Sequence, residues 1–279
     1  MFLKLMYITN DPEVAMIADR YGVDRVWIDL ETLGKEKRQR GYDSVKSNHS
    51  VSDIRKIKPL LKNAEMLVRI NPWNKKSKKE INDVISAGAD IIMLPYWRTA
   101  SEVRNFLDAV AGRCRTTLLL ETKEAVECLD EVLVMPEIDE IHIGLNDLHM
   151  SYKLDFMFEL LANGTVEKIC RKLKIRGIPY GFGGIARIGY GDLPAERVIE
   201  EHYRLGSTRA ILSRSFCNYQ KMQDYKEIEE TFASEMKKLR SFETYVSTLS
   251  PENLEKDRAE TAEIVEQISS RVRARKQAS

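Results

Sequence analysis

The sequence predicts an α/β fold, a (β/α)8 TIM barrel with an additional C-terminal helical extension. Three observations point there. Eight short, β-rich apolar runs alternate with segments of helical periodicity. The runs are almost continuously hydrophobic, as parallel strands covered on their outer face are. The units also span roughly 220 residues, which suits a closed barrel better than its main competitor, an open doubly wound sheet.

The strand candidates, in order, are FLKLMYI (2–8), RVWIDLE (25–31), MLVRIN (66–71), DIIMLPY (90–96), TTLLLET (116–122), EIHIGL (140–145), IPYGFGG (178–184) and RAILSRSF (209–216). Helical patterns such as PEVAMIADRYG and VSDIRKIKPLL lie between them. Asp11-Pro12 gives the first helix an N-cap and a proline at its first position. Ser77, Thr99, Ser101 and Thr122 mark other helix starts, and Leu148 is expected to open the helix after strand 6. A long helix over about 220–246 closes the eighth unit. The barrel domain is therefore 1–249, followed by a charged helix or tail, 250–279, ending in RVRARKQAS. That segment is either a subunit contact or a loose solvated tail.

The 279 residues, 43% hydrophobic and 31% charged, are enough for a large core. A net charge of +1 gives no strong field for nucleic acid or an anionic membrane. Cys114, Cys128, Cys170 and Cys217 are scattered without a C-x-x-C pair, which fits a reducing cytosol. No run approaches a membrane span and no signal peptide opens the chain, so the expectation is a cytoplasmic protein.

In a barrel the chemistry sits at the carboxyl ends of the strands. Asp29 and Glu31 end strand 2, Arg69 and Asn71 end strand 3, Glu121 ends strand 5, and Asn146 with Asp147 follows strand 6. Two neighbouring carboxylates either share a proton or share a cation. For Glu121 and Asp147 the cation would be Mg²⁺ or Mn²⁺, because the donors are oxygens. The alternative is that both merely cap helices. Arg69, inside an apolar strand, needs an anion. That anion is a substrate carboxylate or developing enolate oxygen, or else an internal partner, Asp29 or Glu31.

RVWIDLE, LVRIN, AGADIIMLPY, LLLETKEAVECLDEVL and IGLNDL, in this order, resemble the HpcH/HpaI aldolase and citrate lyase family. The resemblance runs from Asn10 to about Phe216. It implies a class II aldolase: a metal-dependent carbon–carbon lyase that acts on a pyruvate-like 2-oxo acid through a metal-stabilised enolate. The family's metal-binding Glu and Asp fall on Glu121 and Asp147, and its enolate-stabilising Arg on Arg69. Gly144-Leu145-Asn146-Asp147 matches the family's Gly-Pro-x-Asp segment, whose amides look like a pyruvate carboxylate site. The resemblance also implies a homo-oligomer, a trimer or hexamer.

The chain departs from the family at Thr32, where class II aldolases carry a His and the acyl-CoA lyases an Asp. Thr32 cannot act as a base near neutral pH. His49, Glu31, Lys35 and a metal-bound water are the candidate replacements. His142 is expected to be packed inside its strand and His149 to lie behind the site. Lys35, Lys37, Arg38, Arg40 and Lys46, with NPWNKKSKKE after strand 3, make two basic loops. They suit an anionic acceptor such as a phosphorylated aldehyde or sugar, or are simply solvated. Trp73 and Trp97 either stack on a ligand or pack. GFGGIARIGYGDL, with Arg187, is a weak phosphate-loop signal. The alternatives to an aldolase are an acyl-CoA lyase and a barrel that has lost turnover and serves as a binding subunit.

Overall fold

A computed structural model describes residues 2–34 and 48–277. The basic residues 35, 37, 38, 40 and 46 of the strand-2 loop, Lys35 among them, lie outside the described residues. Eight strands form a closed barrel in sequence order: β1 (Lys4–Ile8), β2 (Arg25–Asp29), β3 (Glu65–Arg69), β4 (Ile91–Leu94), β5 (Arg115–Leu120), β6 (Glu140–Ile143), β7 (Tyr180–Ile185) and β8 (Arg209–Leu212). The expected fold class is the observed one. Pairing is parallel, with Arg25 opposite Glu65 and Asp29 opposite Arg69. β2, β4 and β6 are buried at every position, as a sheet covered on both faces requires.

The helices are α1 (Pro12–Arg20), α2 (Val51–Ile57), α3 (Ser77–Ala87), α4 (Ala100–Val110), α5 (Lys123–Glu127), α6 (Leu129–Val132), α7 (Leu145–Ser151), α8 (Glu159–Ala162), α9 (Thr165–Ile175), α10 (Ala195–Leu205), α11 (Tyr225–Val246) and α12 (Pro251–Gln277). Asp11 caps α1 by accepting from the Glu13 and Val14 amides. Thr99 and Glu102 form a capping box at α4. Expected strand ends shift: strands 2 and 3 stop at Asp29 and Arg69, short of Glu31 and Asn71, and strand 6 stops at Ile143, the next helix beginning at Leu145 rather than Leu148. Gly144 occupies the cap position, so Leu145, Asn146 and Asp147 are a first helical turn, not a loop.

The chain divides into two compact units, 6–120 with 124–141, and 1–5 with 121–123 and 142–279. In the first, the amino ends of the strands hold a buried ion cluster. Arg25 is fully buried and pairs with Glu140, its Nη2 lying 2.9 Å from Oε2. Thr117 Oγ1 donates to Glu140 Oε1 at 2.6 Å, and Arg25 Nε reaches Glu65 Oε2 at 3.3 Å. Burial works against the Arg25 charge, but the hydrogen bond and field of Glu140, then those of Glu65, outweigh it and raise its pKa.

In the second unit, α12 packs against α8 and α10. It buries Thr261, Val265 and Ser269 and is tied by Arg197 to Asp257 and Glu260, and by Arg273 and Lys276 to Asp155. The loose-tail alternative therefore falls: the helix is docked on α8 and α10 by a buried strip and by these ion pairs together.

Candidate active site

Along β2 alternate residues share a face, so Arg25, Trp27 and Asp29 line one side. Arg25 sits in the ion cluster at the amino end. Asp29, at the carboxyl end, takes Arg69 in a bidentate grip: Nε and Nη2 lie 2.8 Å from its two oxygens. Arg69 Nη1 lies 3.4 Å from Glu31 Oε2, and the guanidinium carbon is 5.1 Å from the Trp27 ring centroid. Of the two readings of Arg69, the internal ion pair is therefore present. It fixes the guanidinium rather than abolishing it, because planar Arg–carboxylate geometry sets orientation as well as energy.

Asp29 is held in turn. Its carboxylate accepts the Glu31 amide at 3.1 Å, and its own amide donates to His49 Nδ1 at 3.0 Å. A backbone N–H can only donate, so His49 Nδ1 carries a lone pair and the neutral ring has its proton on Nε2. In this arrangement the ring proton is on Nε2, and acting as a base at Nδ1 would require releasing the Asp29 amide.

Asn71 lies two residues beyond β3. Its Oδ1 accepts from the Thr32 amide at 2.9 Å, the Thr32 hydroxyl at 3.3 Å and the Leu33 amide at 2.9 Å. Its Nδ2 donates to Glu80 Oε1 at 2.8 Å, and its backbone N–H donates to the same oxygen at 3.2 Å. Burial raises the Glu80 carboxyl pKa, opposed by the two bonds from Asn71. Asn71 thus staples the start of the strand-2 loop to α3, and Thr32, the unexpected residue, is one of the groups stapled. After β4, Tyr96 has φ 50°, which is strained for a side chain of this size. Trp97 is only 1% exposed, so it packs and offers no stacking face, whereas Trp73 is half-buried.

In the other unit, Glu121 is buried directly after β5 and Asp147 stands half-buried in the first turn of α7. The N-cap of α7 is Gly144, without a side-chain cap, so Asp147 is not the cap residue. First-turn amides of a helix have no intrahelical acceptor, which keeps the 145–147 segment suited to an anion. Leu145, where the family pattern has Pro, is buried against Gly183; a Cβ there would come within 2.8 Å of Leu145 Cδ1. His142 is buried with Nε2 3.2 Å from Gly183 O. His149 is buried with Nδ1 3.3 Å from Leu145 O, and burial lowers its pKa. Both histidines are buried against backbone carbonyls, which for His142 matches the packed position expected of it.

Among the described residues no group of three or more His, Cys, Asp or Glu side chains is arranged to hold a metal. Two carboxylates nevertheless fit Mg²⁺ or Mn²⁺ by donor chemistry. Such ions are commonly held by one or two carboxylates, with water and substrate oxygens filling the other positions. Cysteine nucleophiles are disfavoured: burial pushes the Cys114 thiol up to about 11 and Cys170 up to about 12.

The sequence pattern described as HpcH/HpaI aldolase/citrate lyase matches residues 3–159. The chain belongs to the HpcH/HpaI aldolase/citrate lyase family. The matched span covers β1 through β6 and every site residue named above except those on β7. Two solved structures share the fold. The HpcH/HpaI aldolase from Desulfitobacterium hafniense DCB-2 superposes with a TM-score of 0.57 at 15% identity, covering 86% of this chain and 93% of that one. The HpcH/HpaI aldolase/citrate lyase family protein from Burkholderia cenocepacia J2315 gives 0.60 at 13% identity, covering 81% and 95%. No curated protein matches the sequence. Family membership makes carbon–carbon lyase or aldolase chemistry the activity class, and small molecules its substrates. No described helix is long and apolar enough to cross a membrane.

Sequence reasoning missed Glu80 and the stapling role of Asn71. An Asn just past a strand, with a Glu in the first turn of the next helix, was the available signal. It points equally to a ligand and to a loop tie.

Proposed function

We propose that the protein is a divalent-metal-dependent, class II type aldolase or lyase that uses a pyruvate-like 2-oxo acid and a polar or anionic aldehyde acceptor. The observation that carries this reading is the oxygen-only donor pair at the carboxyl ends of adjacent strands, Glu121 after β5 and Asp147 after β6. These two residues would hold Mg²⁺ or Mn²⁺, which when bound supplies Lewis-acid polarisation of the 2-oxo acid.

The chain's own groups do the rest. The amides of Leu145, Asn146 and Asp147, following Gly144, orient the substrate carboxylate. Arg69, preset by Asp29, stabilises the negative charge that develops on the keto oxygen, an interaction stronger in the transition state than in the ground state. Glu31, against Arg69, is assigned the methyl proton. His49 is assigned the donor role its tautomer allows. Asn71 is assigned to positioning, since its amide oxygen is already taken by three donors. A homo-oligomer, trimer or hexamer, is part of the proposal.

A second reading, a barrel without turnover, draws on Thr32, whose hydroxyl is committed to Asn71 and replaces no base. Titration of Mn²⁺ by electron paramagnetic resonance tests the metal assignment. The wild-type protein should bind about one ion, and Glu121→Gln and Asp147→Asn should each lose it while remaining folded. Unchanged binding in both variants contradicts the assignment.

A further inference from the structure

We propose that the loops following β7 and β8 form a binding site for a phosphate group, carried by the acceptor substrate. Identifying its carrier as the acceptor rests on the aldolase reading; the phosphate site itself does not.

Arg187 is the centre of it. Its Nε donates to Phe216 O at 2.7 Å and its backbone N–H to Ser215 O at 3.4 Å, so one residue is fastened twice to the loop after β8. Phe216 is buried, which makes this anchor rigid. Three arginines of this unit spend their guanidinium on carboxylates: Arg197 on Glu200, Asp257 and Glu260, Arg204 on Glu201 and Glu167, and Arg240 on Glu243. No carboxylate among the described residues pairs with Arg187, whose two terminal amino groups have no hydrogen bond. A half-buried guanidinium, oriented through Nε and lacking an anion, is built for one that arrives from outside.

The surroundings fit an oxyanion of several acceptor atoms. Ser213 and Ser215 follow β8, with the Ser215 amide on Ser213 Oγ at 3.2 Å. The loop lies against β7 at Gly184, where a Cβ would stand in ordinary contact with Ser213 Cβ at 3.4 Å. Arg214 adds a second positive charge to the same loop. Tyr190, 61% exposed with its ring 6.0 Å from the Arg187 guanidinium, supplies an aromatic face beside the anion. The loop that carries it is ordered by the Gly189 amide on Glu196 Oε1 at 2.8 Å. Both loops leave the carboxyl ends of their strands, where barrel enzymes place substrates. The terminal guanidinium N–H groups match two phosphate oxygens, and the serine hydroxyls can donate to a third.

The test is titration of the full-length protein with inorganic phosphate at constant ionic strength, followed by phosphorus NMR and calorimetry. Wild type should bind saturably. Arg187→Gln should weaken binding at least about tenfold, the loss of a charge-assisted bidentate pair. Arg187→Lys should fall between them, and Tyr190→Ala, an exposed position that leaves the loop ties intact, should weaken binding less. Absence of saturable binding by the wild type overturns the proposal. So does equal binding by wild type and a folded Arg187→Gln. Exchange of pyruvate methyl protons, measured on the wild type alone, reports on the aldolase reading separately, so either inference can fail without the other.

Discussion

Replacing Glu140 with Ala should cost more stability than any other single carboxylate deletion in the unit built on residues 6–120 and 124–141. Arg25 is fully buried and holds Glu140 through both terminal nitrogens, while Thr117 uses the same carboxylate. Removing one partner of a buried pair leaves an uncompensated charge, at about 3–5 kcal/mol. Glu65 remains 3.3 Å from Arg25 Nε and is itself part-exposed, which places the expected loss near the lower end, about 3 kcal/mol. At roughly 2–4 °C per kcal/mol for a chain of this size, Tm should fall by about 6–12 °C. Urea unfolding followed by circular dichroism measures the loss directly. The companion variant, Arg25→Met with Glu140→Leu, removes both charges and should recover to within about 1 kcal/mol of wild type. A loss below about 1 kcal/mol for Glu140→Ala, or a double variant as unstable as the single one, refutes the buried-charge argument.

Asn71→Ala should release the Thr32 and Leu33 amides and take the side-chain donor from Glu80, leaving it only the backbone N–H of residue 71. A loss of about 1–3 kcal/mol and faster amide exchange at residues 32 and 33 are expected, and unchanged exchange there rules out the staple. His202 is fully buried, stacked on Phe182 with centroids 3.9 Å apart, and its pKa is pushed down to about 3 by burial and then by His142. Between pH 6.5 and about 3 the unfolded chain therefore binds a proton that the folded chain refuses. Stability should fall as pH drops through that window, by up to about 1.4 kcal/mol per unit from this group. His202→Phe should flatten the slope between pH 6.5 and 4.5 in pH-dependent urea unfolding; an unchanged slope refutes it. Deleting residues 251–279 should destabilise the protein by uncovering α8 and α10, and sedimentation of the same variant tests whether α12 also serves assembly.

The barrel was legible because parallel strands buried on both faces leave uninterrupted apolar runs, and because Asp11-Pro12 and Thr99 with Glu102 write helix starts into the sequence. Strand ends were less legible. β2 and β3 end at Asp29 and Arg69, two residues short of the expected Glu31 and Asn71, and Leu145 continues the apolar run of β6 while belonging to α7. Hydrophobicity alone cannot separate a buried strand from the buried first turn of a helix. The Arg25–Glu140 pair was invisible, since the partners stand 115 residues apart and each looks like an ordinary strand-end charge. Tyr96 gave no sign of its left-handed backbone, because bulky residues seldom adopt it. The docking of α12 was hidden for a different reason. Its buried strip is short and otherwise flanked by charges, and a charged helix reads the same whether its charges meet partners or water.

Exchange of the methyl protons of pyruvate in deuterated water, with Mg²⁺ or Mn²⁺ present and then removed by chelation, tests the central claim most directly. Enolisation at Glu121, Asp147 and Arg69 predicts metal-dependent deuterium uptake that Glu121→Gln, Asp147→Asn and Arg69→Lys each suppress. Uptake that persists after thorough chelation, or a wild-type protein that exchanges no faster than buffer, contradicts it.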